Sequence, residues 1–218
     1  PLIADLSGSL GIQPYQSIIS QLEDLEAKKA AALLAAAQSV FDDADQGDRI
    51  KTHHTTGFLV DSLKEFEAPY DLIMLGKRGE TSELAKDHIG STIERVVRSS
   101  TKPCLVTSRA YSDIGKVALA FDGGDSCYKA LDYIVSSDLF HDKEIHLVTV
   151  PDDKGEAFAL THLKKAEDLL KRAGLNPICK SLPGIPEDVI SSYVEDEKIS
   201  MLLLGAYGHS RIRQFLIG

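Results

Sequence analysis

The sequence predicts an α/β protein with two tandem open parallel sheets that carry helices on both faces. Short apolar runs alternate with amphipathic stretches along most of the chain, which is typical of parallel strands joined by helical crossovers. A glycine pair, Gly76 and Gly79, recurs as Gly205 and Gly208 at an offset of 129 residues. Each pair follows a strand-like run, so the two pairs occupy equivalent places in a duplicated fold.

In the first half of the chain, helices are predicted where apolar residues recur at helical spacing. Residues 18–41 place Ile18, Leu22 and Leu25 on one face, and neither Pro nor Gly interrupts them. Residues 58–66 and 89–97 predict two shorter helices by the same criterion. The predicted strands of this half are "DRIKTHHT" (48–55), residues 71–75 and "KPCLVTS" (102–108).

The second half repeats the alternation after a linker, "SRAYSDIGK" (108–116). Pro186 opens one of its helices, at the position where a missing N–H costs least. Strictly alternating elements favour right-handed crossovers and a parallel sheet covered on both faces. The predicted strands are residues 116–124, 144–150, 177–182 and 200–205, and the helices between them are residues 128–137, 157–173 and 186–197.

The two copies are incomplete in opposite ways. The second copy has an opening strand, helix and strand (116–150) that the first lacks, and the first has a closing helix and strand (91–108) that the second lacks. We therefore expect a first domain at residues 1–110 and a second at 116–218, both belonging to a longer polypeptide. Strands from a second chain are the alternative, because unpaired sheet edges promote aggregation.

Composition limits the kinds of partner. The net charge is −9 and the Lys and Arg residues are dispersed, which disfavours a nucleic-acid surface. No apolar run approaches the ~18 residues that span a bilayer, and the first residues lack a signal-peptide pattern, so we expect a cytoplasmic protein that does not enter membranes. Three scattered cysteines have no metal-ligand spacing, and no metal site is expected. Small molecules and proteins remain as partners.

The second copy carries a specific glycine motif. In "MLLLGAYGHSRIRQFLIG", Gly205 and Gly208 are followed after nine residues by Gly218, and "ALAFDGG" places Asp122 at the end of the first strand. These residues resemble the universal stress protein family, whose nucleotide-binding members carry Gly-x-x-Gly, nine residues, Gly and then Ser or Thr. The resemblance implies a five-stranded, adenine-nucleotide α-hydrolase-like domain with strand order 3-2-1-4-5 and ATP as ligand. It also implies that the backbone near Val150 faces adenine.

The chemistry of these residues fits a phosphate-bearing ligand. Ligands of open parallel sheets bind outside the carboxyl ends of the strands, where the strand order reverses. Without a Cβ atom, Gly205 and Gly208 let the backbone approach a phosphate, and their N–H groups then form an anion nest. Gly218 is expected at the N-terminus of the next helix, which favours negative charge. The carboxylate of Asp122 is suited to accept hydrogen bonds from a ribose or an adenine amino group.

The first copy is the weaker candidate for the same chemistry. Ten residues, not nine, separate its second and third glycines, and Lys77 and Arg78 lie inside the loop, where they obstruct a phosphate or attract an anion. Ser91 and Glu94 form a capping-box pattern, so Ser91 is explained as a helix cap. The corresponding residues of this copy are Gly76, Gly79, Gly90 and Ser91.

Two functions compete on this basis. The first is a nucleotide-binding stress-response protein that couples ATP binding to conformational or partner changes. The second is a protein of the same fold that acts through a homodimer, an intramolecular domain pair or partner contacts, in which the glycines only make tight turns and Asp122 is a turn-former. An enzyme is a third class, but the sequence offers no nucleophile and base pair, so we expect slow ATP hydrolysis at most.

Overall fold

The computed structural model describes residues 13–76, 89–108, 110–153 and 155–205. The chain separates into two compact units, residues 1–57 and 58–218. This division follows contacts within the chain and differs from the sequence repeat. The domains predicted at residues 1–110 and 116–218 therefore stay a prediction.

In the described part of the first unit, residues 13–57, the long helix α1 (Gln13–Asp43) confirms the helix predicted at residues 18–41. Its Ala-rich sequence favours helix throughout. Asp45 then adopts a positive φ of 56°, and a short 3₁₀ turn follows at Gly47–Arg49. The amide Nε2 of Gln38 donates to Asp42 Oδ1 at 2.8 Å and to the carbonyl of Gly47 at 3.3 Å, so this side chain ties the turn to the last part of the helix.

The strand predicted at residues 48–55 is wrong. The segment begins in the 3₁₀ turn, and residues 50–56 form no strand and are mostly exposed. Isolated extended backbone gains no ladder hydrogen bonds, and no strand within the described ranges pairs with this segment. Only Ile50 supplies an apolar side chain there, so burial does not compensate.

The second unit begins with a small parallel sheet and two helices. Strand β1 (Ile73–Gly76) pairs in parallel with β2 (Cys104–Thr107), as predicted from the apolar runs at 71–75 and 102–108. The helices α2 (Leu59–Phe66) and α3 (Ile89–Ser99) confirm those predicted at 58–66 and 89–97. The buried apolar residues of this part are Ile73, Ile93 and Val96.

Glu67, directly after α2, joins this helix to the turn between α3 and β2. It is buried, and its carboxylate accepts hydrogen bonds from Ser100 Oγ at 2.8 Å and Thr101 Oγ1 at 2.9 Å. The backbone N–H of Thr101 adds a longer bond of 3.3 Å. The hydrogen bonds from Ser100 and Thr101 lower the pKa of Glu67, so the carboxylate is ionised at neutral pH although it is buried.

The rest of the second unit alternates strands and helices as the sequence predicts. A 3₁₀ turn at Asp138–Phe140 is the one addition among these described elements. The elements are β3 (Lys116–Ala120), α4 (Asp125–Ser136), β4 (Glu144–Thr149), α5 (Glu156–Arg172), β5 (Ile178–Ser181), α6 (Pro186–Asp196) and β6 (Met201–Leu204).

These four strands form a parallel sheet in the order β5-β4-β3-β6. Numbered within the copy, this order is 3-2-1-4, so the strand that opens the copy lies inside the sheet. On one face, α4 and α5 cover β3 and β4, and the core includes Val117, Leu119, Leu131 and Leu147. On the other face α6 packs against the sheet, for example through Ile190. The fifth position of the predicted order 3-2-1-4-5 stays a prediction.

The repeat of 129 residues is visible in the backbone. Shifted back by 129 positions, α6 and β6 overlap α2 and β1. Asp45 and Gly174, which are 129 residues apart, follow α1 and α5 and have positive φ angles of 56° and 82°. In both copies a residue in the left-handed backbone conformation follows the helix, Asp45 in the first copy and Gly174 in the second. These correspondences support a duplication.

We predict that Thr101→Val raises the pKa of Glu67 towards its ordinary value, because the variant removes one of the donors that stabilise the ionised form. The stability linked to this lowered pKa is present at neutral pH and is lost as the pH falls through the pKa of the folded state. An NMR titration of the Glu67 carboxyl carbon measures it. Ser99→Ala is the matched control, since Ser99 Oγ donates to the carbonyl of Arg95. An unchanged pKa in Thr101→Val contradicts the assignment.

Candidate functional site

The strand order of the larger sheet reverses between β3 and β6. The chain leaves β3 towards β4 on one side and returns to β6 on the other, which creates a crevice at the carboxyl ends of these two strands. Asp122 follows β3 and Gly205 follows β6, and Ala120 and Leu204 are register partners just before them. Val150 directly follows β4, the other neighbour of β3. The structure thus brings Asp122, Val150 and Gly205 to one edge of the sheet.

Asp122 forms a tight turn into α4. Its Oδ1 atom accepts a hydrogen bond of 2.7 Å from the backbone N–H of Gly124, and Gly123 between them has a φ of 74°. This is an Asx turn, so the interpretation of Asp122 as a turn-former is confirmed. A carboxylate has about four lone-pair sites, so one hydrogen bond leaves it able to accept others.

Gly205 is buried where β6 meets the first turn of α4. A Cβ atom at this position would overlap Ser126 Oγ and lie 3.0 Å from Cys127 Sγ. Real Cβ atoms do not approach other atoms this closely, so the backbone reaches this place because residue 205 has no side chain. The close approach of strand β6 to helix α4 therefore requires glycine at position 205.

Cys127, in the first turn of α4, is not a nucleophile. Its Sγ is 3.3 Å from the carbonyl oxygen of Ala120. Burial raises the pKa of the Cys127 thiol to about 12, and the nearby carboxylate of Asp122 also raises it. The thiol is therefore protonated at neutral pH and fills the core as a small apolar group.

A set of rings on α4 and α5 borders the Asp122 turn. The hydroxyl of Tyr128 lies 2.9 Å from Nδ1 of His162, and the ring centroids of Phe158 and His162 are 4.3 Å apart. A Cβ at Gly123 would lie 2.9 Å from Cγ of His162. Sequence analysis missed His162, because no local motif connects it with a turn about 40 positions earlier.

Part of the predicted glycine motif of the second copy is not described. Gly208 and Gly218 lie outside the described residues. Of that motif, only Gly205 has a place in the structure, and the roles assigned to Gly208 and Gly218 stay predictions.

In the first copy, the capping-box prediction is wrong. Gly90 and Ser91 are both part of α3, which already includes Ile89, so Ser91 is not the residue before the first turn. Glu94 instead forms an ion pair of 3.0 Å with Arg98, one turn further along the helix. Local spacing cannot tell these arrangements apart, because i, i+4 pairs compete for the same carboxylate.

The glycines of the first copy are only partly described. Gly76 is exposed at the end of β1, and Gly79 lies outside the described residues. Within the parts of the chain that the structure covers, no group of three His, Cys, Asp or Glu side chains could hold a metal ion. None of the described helices is long and apolar enough to cross a membrane.

A comparison with protein families matches each copy of the repeat separately. The family model described as "Universal stress protein family" matches residues 8–108 and again 114–218. A universal stress protein of Synechocystis is 40% identical over 221 residues, which cover 98% of this chain and 77% of that protein.

One solved structure shows the same fold. The crystal structure of a universal stress protein from Archaeoglobus fulgidus superposes with a TM-score of 0.64 at 18% identity, covering 89% of this chain and 71% of that chain. A universal stress protein family member of Arabidopsis thaliana, crystallised with AMP bound, is 20% identical and covers 47% of this chain and 83% of that chain at a TM-score of 0.38. Its AMP is a fact about that protein alone.

We predict that Gly205→Ala lowers the free energy of unfolding by about 1–3 kcal/mol, because the added methyl group overpacks the contact with Ser126 and Cys127. Urea denaturation measures it. Gly115→Ala is the matched control, since a Cβ there meets no atom within 4 Å. In the double variant Gly205→Ala with Ser126→Gly, the loss should be smaller than the sum of the two single losses. Strict additivity would show that the contact is not the cause.

Proposed function

The chain belongs to the universal stress protein family, and from this premise we propose that it is a stress-response protein that binds an adenine nucleotide. ATP is the proposed ligand, and the copy that contains Asp122 and Gly205 is the proposed main site. Nucleotide binding is coupled to a conformational or partner change. The expected cytoplasmic location stays a prediction.

One observation carries this proposal. Asp122 and Gly205 follow two adjacent strands at the point where the strand order reverses, which is the place where open parallel sheets bind ligands. In this arrangement Asp122 accepts hydrogen bonds from the ribose or the adenine amino group, and the backbone at Val150 faces adenine. The loop after Gly205, with Gly208 and Gly218, receives the phosphates.

The second copy is preferred over the first for two reasons. Its glycines keep the nine-residue spacing, whereas Gly79 and Gly90 are separated by ten residues. Lys77 and Arg78 also place two bulky side chains inside the loop of the first copy, where the second copy has Ala206 and Tyr207.

We predict that Asp122→Asn weakens ATP binding by about tenfold or more, because a hydrogen bond to a charged group contributes about 1.5–3 kcal/mol. The Asn side chain keeps an oxygen that can accept from Gly124 N–H, so the turn persists while the charge is lost. Equilibrium titration with a fluorescent ATP analogue measures the Kd. Asp132→Asn is the matched control, since Asp132 is exposed on α4, the helix that follows the Asp122 turn. Equal affinities in both variants would reduce Asp122 to a turn-former.

We predict that Gly208→Val abolishes saturable binding of the same analogue and that Gly79→Val, its counterpart in the first copy, leaves binding intact. The added branched side chain blocks the approach of a phosphate to the loop backbone. The opposite pattern would place the site in the first copy. If the unaltered chain shows no saturation at millimolar ligand, the proposal fails, and the protein acts through dimerisation or partner contacts.

A further inference from the structure

The ring of His162 lies directly on the Asp122 turn. A Cβ at Gly123 would lie 2.9 Å from Cγ, 3.1 Å from Cβ and 3.1 Å from Nδ1 of His162. Since Gly123 also has a positive φ of 74°, any side chain at this position would be both strained and blocked. The turn and the ring therefore occupy adjoining space with no room for a side chain between them.

The orientation of His162 is fixed by its neighbours. The Tyr128 hydroxyl is 2.9 Å from Nδ1, and burial raises the pKa of Tyr128, so this hydroxyl stays protonated and can donate. The ring of Phe158 also packs against the His162 ring, tilted by 43° with the two centroids 4.3 Å apart. Phe121 contacts the Tyr128 ring edge-on at 5.3 Å and continues the packing into the core.

The helix that carries His162 is itself anchored. Four residues at helical spacing on α5 are buried, and three of them belong to the core that α4 and α5 share. His162 is next to one of them in sequence, so its backbone cannot move without displacing the core. The four residues are Ala159, Leu163, Ala166 and Leu170.

We propose that His162 is a positioning residue, which holds the Asp122–Gly124 turn in the conformation that receives the nucleoside part of the nucleotide. This inference rests on the proposed function. A turn that contains two glycines samples several conformations, and only a fraction of them place the Asp122 carboxylate correctly. The apparent Kd rises as this fraction falls. Within the described residues His162 borders the turn after β3, whose Asp122 is proposed to meet the nucleoside, so we expect its influence on the nucleoside and not on the phosphates.

The first test compares two ligands on the full chain. In His162→Ala, the Kd for ATP should rise about tenfold if the competent fraction of the turn falls to about a tenth. The Kd for inorganic tripolyphosphate, which has no nucleoside, should stay unchanged. His141→Ala is the matched control, because His141 is an exposed histidine before β4. His162→Phe should restore most of the ATP affinity, since it returns a flat ring to Gly123.

The second test needs no ligand. The N–H of Gly124 donates to Asp122 Oδ1, so its hydrogen exchange reports how often the turn opens. We expect exchange at least about tenfold faster in His162→Ala, because the rate follows the fraction of time that the turn is open and a competent fraction of about a tenth leaves it open most of the time; His141→Ala should show no change.

The outcomes separate the inference from the proposed function. If the unaltered chain binds no ATP, the proposed function fails, whatever the exchange shows. If it binds ATP and His162→Ala binds equally well, or if Gly124 exchanges at the same rate in both, the positioning role is refuted while the function stands. An equal loss of ATP and tripolyphosphate affinity would also refute it, since His162 would then support the fold in general.

Discussion

The structure of the second copy depends on one central strand. Strand β3 pairs with β4 on one side and β6 on the other, and Val117 and Leu119 within it are fully buried. A strand enclosed in this way has its backbone hydrogen bonds satisfied by its neighbours and its side chains covered by helices. The candidate site is attached to the carboxyl end of this strand, so the rigidity of the core determines where Asp122 lies.

The alternation of strands and helices could be predicted from the sequence because each element carries its own apolar pattern. The failures concern features that depend on partners. "DRIKTHHT" resembles a strand locally, but a strand needs a neighbour, and the described residues supply none. Ser91 and Glu94 have the spacing of a capping box, but Glu94 pairs with Arg98. His162 could not be predicted, because its contact with Gly123 exists only once α5 has packed beside α4.

The 129-residue repeat extends to the apolar side chains of helices α1 and α5. At an offset of 129 residues the apolar positions of the two helices match in size, small and large in alternation. In α5 these side chains are all buried, three of them in the core that α4 and α5 share, so the spacing identifies the face of α5 that packs against the sheet. The matched positions are Ala30 with Ala159, Leu34 with Leu163, Ala37 with Ala166, and Phe41 with Leu170.

The structural roles of Asp122 and Gly205 are compatible with the ligand-binding roles proposed for them. Gly205 is required for the close contact with α4, and Asp122 is held by the N–H of Gly124. A carboxylate that is already oriented by the fold loses little conformational entropy when it accepts a further hydrogen bond, so less of the interaction energy is spent on ordering. The same argument applies to His162, whose ring restricts the turn before any ligand arrives. The residues that make this edge of the sheet rigid are thus those that we propose prepare it to bind.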